Sequence, residues 1–488
     1  MMKNSITKTI FVLVSALSSL ATSSVVAKEC HKSHCTAVCK YIEQSDLPAT
    51  LSKHGVYRIC SNLVWNSPGA AITVASDDVT IEFKNSFIDI QNPAGIAVEA
   101  NGVHNLTLVN PNLLGHVTAS RQDGTYRGLV VTNSECLTVT NLCAENVTDA
   151  LFTDTVTAIK TDGVCINNDT YQLGVTYQSS SNILHTNENS KNVRLSVTSS
   201  IDGYFSKLNY LNDDNNPTGG TVTIRVGAVL TGFIGPFPQY GYPSKNLFLQ
   251  DVNIGMQALY QNRSTAAIGV AGEDIHIERA NITFDQEGDW RGIINLSLIP
   301  VHQIVVKDCS LDLGGQGVGI IFAGSYFPPF GLPGVANYCV IDGNRITNAQ
   351  VGITQDAIVD LEGNDVGCLI KNNHVTNCQI GIAPVDANNT IVEHNTVTNC
   401  YWGYADSDVI QGRAPAFSAL FQNNIAFANT INYSFISPNT VGIDNTDVRN
   451  GEPFRAFSLS AVKNVSDQSQ NAQMAELFSK NKDRMFIQ

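Results

Sequence analysis

Charge is scarce in this chain, and long apolar runs are scarcer. Asp, Glu, Lys and Arg supply only 15% of the 488 residues, against about a quarter in an ordinary soluble domain. That leaves little for the solvated faces of exposed helices. Asn, Thr, Ser and Gly fill the polar positions instead, which suits strands and turns. Lys and Arg number 29 against 43 Asp and Glu, a net charge of −14. Without the first 27 residues, whose only charges are Lys3 and Lys8, the balance is −16. No basic patch offsets it, which excludes nucleic acid as a partner. Beyond the N-terminus no apolar run approaches the ~20 residues of a membrane-spanning helix. No CxxC pair occurs among the 12 cysteines, so the usual zinc-knuckle spacing is missing. A hydrophobic fraction of 43% is nevertheless ample for a large core.

The first 27 residues read as a secretory signal. Lys3 and Lys8 precede the apolar stretch Thr9 to Leu20, and Val25, Val26 and Ala27 offer a cleavage site before Lys28. The stretch is too short and serine-rich to favour the alternative, a membrane anchor. All 12 cysteines follow it, an even number in a compartment that permits disulfides. Cys30, Cys35, Cys39 and Cys60 crowd the mature N-terminus, beside His31 and His34. Export and spacing favour disulfides over a zinc site there, with the pairing open.

What is present is a repeat. VIDGNRITNAQVGI from Val340, LIKNNHVTNCQIGI from Leu369 and IVEHNTVTNCYWGY from Ile391 are in register, and LFQNNIAFANTINY from Leu420 is a weaker fourth copy. Their asparagines Asn344, Asn373, Asn395 and Asn424 are spaced 29, 22 and 29 residues apart. Each copy holds two short strand-like runs and a turn, too little to bury its own apolar face, so copies must stack. The same two-part unit extends upstream: GI-type strands at Gly95, Gly128, Gly163, Gly292 and Gly319, and alternating strands such as VTIEF from Val79 and IHIER from Ile275. With no helical crossovers visible, parallel strands require a continuous winding chain. Roughly 15 coils at ~4.8 Å make a rod about 70 Å long.

In this reading the asparagine column takes the left-handed backbone of a sharp corner and hydrogen-bonds along the stack. Cys339 with Cys368, and Cys378 with Cys400, occupy equivalent positions on successive copies and read as ladders of small residues. Exposed strand edges at the rod's ends need covers. CTAVCKYIEQ from Cys35 spaces Val38, Tyr41 and Ile42 for a short amphipathic N-terminal helix, and Gln473 to Ile487 spaces Met474, Leu477, Phe478, Met485 and Ile487 for a C-terminal one. The chain divides into a signal peptide (1–27), a Cys-rich N-terminal cap (28–55), the β-helix (56–447) and a C-terminal tail with an amphipathic helix (448–488).

On its NxVTNxxxGI repeats and the SDDVTIEF opening strand from Ser76, the chain resembles the right-handed parallel β-helix, pectate-lyase-like superfamily, particularly its secreted bacterial members. The resemblance implies an all-β, single-stranded right-handed parallel β-helix with short helical caps. That superfamily includes lyases, hydrolases, epimerases, adhesins and proteins without known activity, so it does not assign one. The polygalacturonase pattern needs an NTD, a paired Asp, a GHG and an RIK; KTDGV at Lys160, LGHV at Leu114 and RIT at Arg345 fall short. Asp162 and Asp77-Asp78 therefore read as turn residues. The pectate-lyase pattern needs stacked carboxylates for Ca²⁺ and an arginine base. If each GI isoleucine points inward, the outward residues are Ala97, Val130, Cys165, Ile294, Ile321, Thr354, Ala383 and Ala405, none acidic, and two further on Glu99, Thr132, Asn167, Leu296, Ala323, Asp356, Val385 and Ser407, with only two carboxylates, far apart. No cofactor is implied, and Ca²⁺ lacks a ligand ladder. On the other strand Asp342, Lys371, Glu393 and Gln422 suggest a solvated face with cross-coil ion pairs.

The repeat is interrupted by TGFIGPFPQYGYP from Thr231 and GSYFPPFGLPG from Gly324, where proline confines the chain to loops. Phe237, Tyr240, Tyr242, Tyr326, Phe327 and Phe330 on these loops, with Trp290, are candidate sugar-stacking residues. Asp285, Asp289 and Arg291 beside Trp290 are candidate catalytic groups. Tyr401, Trp402 and Tyr404 beside Asp406 and Asp408 form a second patch. The expectation is a secreted or cell-surface protein that recognises polysaccharide or surface glycan through its side face and aromatic loops. The alternatives are a pectate-lyase-type lyase or hydrolase and a surface scaffold or adhesin.

Overall fold

The computed structural model describes residues 39–448 outside 118–125, 213–223, 232–243, 258–263, 286–289, 296–300, 328–331, 357–366, 386–388, 407–418 and a few single residues or pairs between these. Strands dominate, and every pairing in the main sheet is parallel and one coil apart. On the first wall, Cys39–Ile42 stacks on Gly55–Ile59, then Val79–Phe83, His104–Val109 and the start of Glu135–Glu145. The second wall runs from Leu63–Trp65 through Ile88–Ile90 and Asn112–Leu114 to Thr446–Val448. The third stacks Ala49–Leu51, Gly69–Val74, Gly95–Asn101 and Arg127–Thr132 and continues to Ile431–Ser434. The chain is a right-handed parallel β-helix. Alternate residues point inward and fill one continuous core; Ile59, Ile81, Leu108, Val139, Ile277, Ile341 and Ile370 are all fully buried.

Corners are made by single residues in the left-handed region, which Asn tolerates and Gly favours. Between the first and second walls Asn85, Asn110, Asn141, Gly163, Asn187, Lys207, Asp251, Arg279, Asp308, Gly343, Asn372, His394, Asn423 and Asp444 all have φ near +50 to +75°. The repeat asparagines themselves do not. The left-handed residue is the one before, and it throws its own side chain outward while turning the next side chain in. Asn344, Asn373, Asn395, Asn424 and Asn445 thus form a buried ladder. Asn373 Oδ1 accepts the backbone N–H and the Nδ2 of Asn344, each at 2.9 Å. Its Nδ2 donates to Asn395 Oδ1 and to the Ile341 carbonyl, again at 2.9 Å. That uses the full hydrogen-bonding capacity of the amide.

The expected N-terminal helix is a strand: Cys39–Ile42 pairs in register with Val56–Ile59, burying Ile42 and leaving Tyr41 exposed. A period-2 edge against the open first coil outweighs the weak helical spacing. Cys39–Ile42 and Ala49–Leu51, inside the segment read as a cap, are thus strands of the coil stack. Cys39 and Cys60 are free thiols. They lie at opposite ends of stacked strands, some four residues or about 13 Å apart along the strand. Cys30, Cys35, the signal segment and the C-terminal helix lie outside the described residues. Cys339, Cys368, Cys378 and Cys400 are buried free thiols, and the Cys378 N–H points at Cys400 Sγ at 3.4 Å. They form ladders, as the repeat suggests.

Asn373→Ala should lower stability by about 3 kcal/mol or more, since it leaves the Asn344 N–H, one Asn344 Nδ2–H and the Ile341 carbonyl short of partners at ~1–3 kcal/mol each. Urea unfolding followed by circular dichroism measures it, and Asn372→Ala, on the outward corner residue, is the comparison.

Candidate functional site

The outward faces separate residues that the sequence reading treated alike. On the third wall one outward column runs Thr73, Glu99, Val130, Phe152, Thr176 and Ser196. Glu99 faces outward as expected, but Ala97 is buried and Ile96 half-buried, and Val98 stacks on the inward Leu129. Cys165 faces outward on a different wall, stacked on Cys143. Asp162 lies within a strand and not in a turn; its carboxylate accepts Thr186 Oγ1 at 2.9 Å and Asn187 Nδ2 at 2.6 Å, and these two bonds, Asn187 first, hold its pKa below the ordinary range. Lys371 reaches Asp342 at 3.5 Å as a cross-coil ion pair, yet Glu393 is buried and accepts the Gln422 amide at 2.6 Å. The Tyr401 to Asp408 patch is split: Tyr401 is exposed, while Tyr404 and Asp406 are turned inside, Asp406 accepting the N–H groups of Ile436 and Ser437.

Asp285 is exposed at the end of Asn281–Phe284, its N–H donating to the Met256 carbonyl at 3.2 Å. Trp290 opens the strand Trp290–Asn295, stacked beside Thr265, and Arg291 is half-buried next to it. Tyr326–Phe327 pairs antiparallel with Leu332–Pro333, a two-stranded ribbon apart from the main sheet. Asp289, Phe237, Tyr240, Tyr242 and Phe330 lie outside the described residues.

The cluster that stands out was not anticipated. Arg127, Asp149, Gly174 and Arg194 occupy successive coils at one corner of the third wall. Arg127 Nε lies 3.7 Å from Asp149 Oδ2. Gly174, with φ of +74°, places no side chain between Asp149 and Arg194. Thr176 Oγ1 donates to Asp149 Oδ1 at 3.4 Å, and the Arg127 guanidinium sits 5.3 Å from the centre of the Phe152 ring. Tyr126, just before Arg127, is buried and accepts the Thr148 N–H on its carbonyl at 2.9 Å, pinning the corner. Two features mark the cluster as chemically unfinished. The Asp149 carboxyl is 2% exposed, and burial pushes its pKa up to about 6 despite the pull of Arg127, Thr176 and Arg194. The Nε groups of Arg127 and Arg194 are buried with no hydrogen-bond acceptor among the described residues. An anion or acid with strained solvation, beside unused donors, is what a binding or proton-transfer site keeps and a purely structural pair discards. The sequence signal was faint: Arg127 and Asp149 open strands, Gly174 and Arg194 lie within longer ones, and none belongs to a repeated motif.

A second outward feature is an aromatic ladder on the first wall. Tyr204 and Phe248 stack at 5.6 Å with planes 5° apart, and His276 follows at 5.9 Å. Their ring faces are spent on one another, which leaves edges to solvent and no platform for a sugar face. Among the described residues no three or more His, Cys, Asp or Glu side chains converge as a metal site would require, and no helix is long and apolar enough to cross a membrane.

The stacked walls decide the architecture. The fold is a parallel β-helix. No family model matches the chain, and no curated protein does. Among solved structures it is similar to the A-module of the Azotobacter vinelandii mannuronan C-5 epimerase AlgE6, at 11% identity and a TM-score of 0.38 over 81% of this chain and 91% of that one. It is also similar to PfbA, a surface adhesin of Streptococcus pneumoniae, at 12% identity and 0.39 over 82% and 85%. An exopolygalacturonase from Thermotoga maritima matches at 9% and 0.36 over 82% and 85%. At such identities the likeness concerns the fold alone.

Because its folded pKa is raised above the ~3.9 of an unfolded Asp, Asp149 favours folding most when protonated. Stability is lost as pH rises from about 4 through about 6. Asp149→Asn should therefore be more stable than the parent at pH 7.5, by up to ~3 kcal/mol for a two-unit shift, and nearly equal at pH 4. Urea midpoints at the two pH values check the sign.

Proposed function

We propose that this protein recognises polysaccharide, and that the Arg127, Asp149 and Arg194 face takes a carboxylate-bearing glycan. The observation that carries the reading is the pair of buried guanidinium Nε groups without acceptors on either side of Asp149. Guanidinium forks match carboxylates in a planar, two-bond geometry that lysine cannot reproduce. With Asp149 ionised the trio carries a charge of +1, and with it protonated +2, in a chain that is otherwise strongly acidic. A β-helix wall supports the reading further, because stacked coils give a long straight track along which an extended polymer can lie.

The charge state sets a direction. A sugar carboxylate stays ionised with a pKa of about 3.5, while Asp149 takes up its proton below about pH 6. Affinity for carboxylated glycans should rise several-fold between pH 7.5 and 5.5, and neutral glycans should show no such rise. Arg127→Ala and Arg194→Ala should each weaken binding about tenfold or more, on the scale of an interface hot spot. Asp149→Asn should bind at pH 7.5 as the parent does at pH 5.5. Titration calorimetry against carboxylated and neutral oligosaccharides measures all three. Equal binding of both classes, or loss on Trp290→Ala with both arginine variants intact, sinks this assignment.

A further inference from the structure

Three cysteine pairs stack on successive coils, and one of them differs in kind. The thiols of Cys339 with Cys368 and of Cys378 with Cys400 are buried at inward corners. Cys143 and Cys165 are exposed, free and direct partners across adjacent parallel strands of the second wall. They interrupt a run of asparagines in an outward column: Asn112, then the two cysteines, then Asn189, Asn209, Asn253 and Asn281, after which the column passes to Ser310 and Arg345. In that run Asn209 Nδ2 donates to Asn189 Oδ1 at 2.9 Å. A thiol is a weak donor and cannot replace that bond. Partners in adjacent strands have Cα atoms ~4.8 Å apart, inside the ~4.4–6.8 Å that a disulfide spans. Each cysteine also lies two residues past a left-handed corner, Asn141 for one and Gly163 for the other, so the two are equivalent positions of successive coils.

We propose that Cys143 and Cys165 are a redox modification site that closes into an inter-coil disulfide by exchange with a low-molecular-weight disulfide such as oxidised glutathione. One protein thiolate attacks a glutathione sulfur, forming a mixed disulfide and releasing one reduced glutathione. The second thiolate attacks the protein sulfur of that mixed disulfide and releases the second glutathione. Both cysteine sulfurs are oxidised, one glutathione disulfide is reduced to two thiols, and the two cysteine protons pass to solvent and the departing thiolates. The cross-link ties two coils of the solenoid together next to the corner where Arg127 and Asp149 are held.

The test treats the full chain with oxidised glutathione at pH 8, blocks remaining thiols with N-ethylmaleimide and maps tryptic peptides by mass spectrometry. The expected result is a cross-linked peptide pair carrying Cys143 and Cys165 with no glutathione on either, while Cys39 and Cys60 carry separate adducts. Cys143→Ser should leave glutathione on Cys165. Oxidation should raise the thermal midpoint of the parent and not that of Cys143→Ser. Independent adducts on Cys143 and Cys165, or full labelling of both by maleimide, overturn the proposal.

Discussion

A solenoid of this kind depends on its corners. Along each wall a strand's N–H and C=O groups find partners in the coils before and behind, but at a corner the chain turns and the next N–H points along the rod with no strand carbonyl opposite. Buried backbone groups left in that state cost ~1–3 kcal/mol each, and here the cost would recur on every coil. The chain answers with two adjacent residues of opposite habit: a left-handed residue that bends the path outward, and a small or amide-bearing residue that turns in and accepts the orphan N–H of the coil before it. Asn395 Oδ1 accepts the Asn373 N–H at 2.9 Å in this way, and Ser200 and Ser244 do the same at the corner before the first wall, with Oγ accepting the N–H of Ser180 and of Ser200 at 3.2 Å.

This explains which parts of the fold could be read from the sequence. The Asn344, Asn373, Asn395 and Asn424 ladder was legible because one residue type fills the corner in every late copy. The upstream coils place Leu142, Val164, Glu188, Leu208, Val252, Ala280 and Cys309 in the same column; the strands from Glu135–Glu145 to Ser244–Met256 run straight through the corner, so apolar residues suffice there and no single letter repeats. Placing the left-handed conformation on the ladder asparagine was wrong by one residue, because period-2 logic cannot tell which of two adjacent asparagines bends the chain and which points in. Ile96 misled because the alternation breaks after Gly95: Ala97 and Val98 are both buried, and the period-2 pattern resumes only from Val98 to Glu99.

The candidate site was harder to see. Arg127, Asp149, Gly174 and Arg194 are 22, 25 and 20 residues apart in a chain with irregular coil lengths. Their meeting is created by register alone. None falls in a motif, and Asp149 lies on a strand, Asp149–Asp154, that has no GI pair to mark it. The aromatic residues of the inserted loops drew attention because composition is visible in one dimension and coincidence across coils is not.

The same reasoning separates a functional polar group from a structural one. Glu188 is a buried carboxylate in the very column of the asparagine ladder, and it looks at first more anomalous than Asp149. Yet three donors converge on it: His185 Nε2 at 2.7 Å and the Tyr210 hydroxyl at 2.8 Å on Oε2, and the Ser190 hydroxyl at 2.6 Å on Oε1. The other ring nitrogen of His185 meets the Tyr177 hydroxyl at 2.8 Å, which reaches Thr161 at 2.9 Å. The Tyr177 and Tyr210 hydroxyls have pKa values raised by burial and stay protonated. Every member has a partner within the chain, so the network closes on itself as the amide ladder does, and it needs nothing from outside. Asp149 differs on this criterion and not on burial. Its hydrogen bond from Thr176 is long, its arginine neighbour stands off at 3.7 Å, and two guanidinium nitrogens beside it have donors to give. Among the described residues Gln355 Nε2 is a lone unpartnered amide nitrogen in the interior; at Asp149 a buried acid and two guanidinium donors stay open together, and a carboxylate ligand completes them.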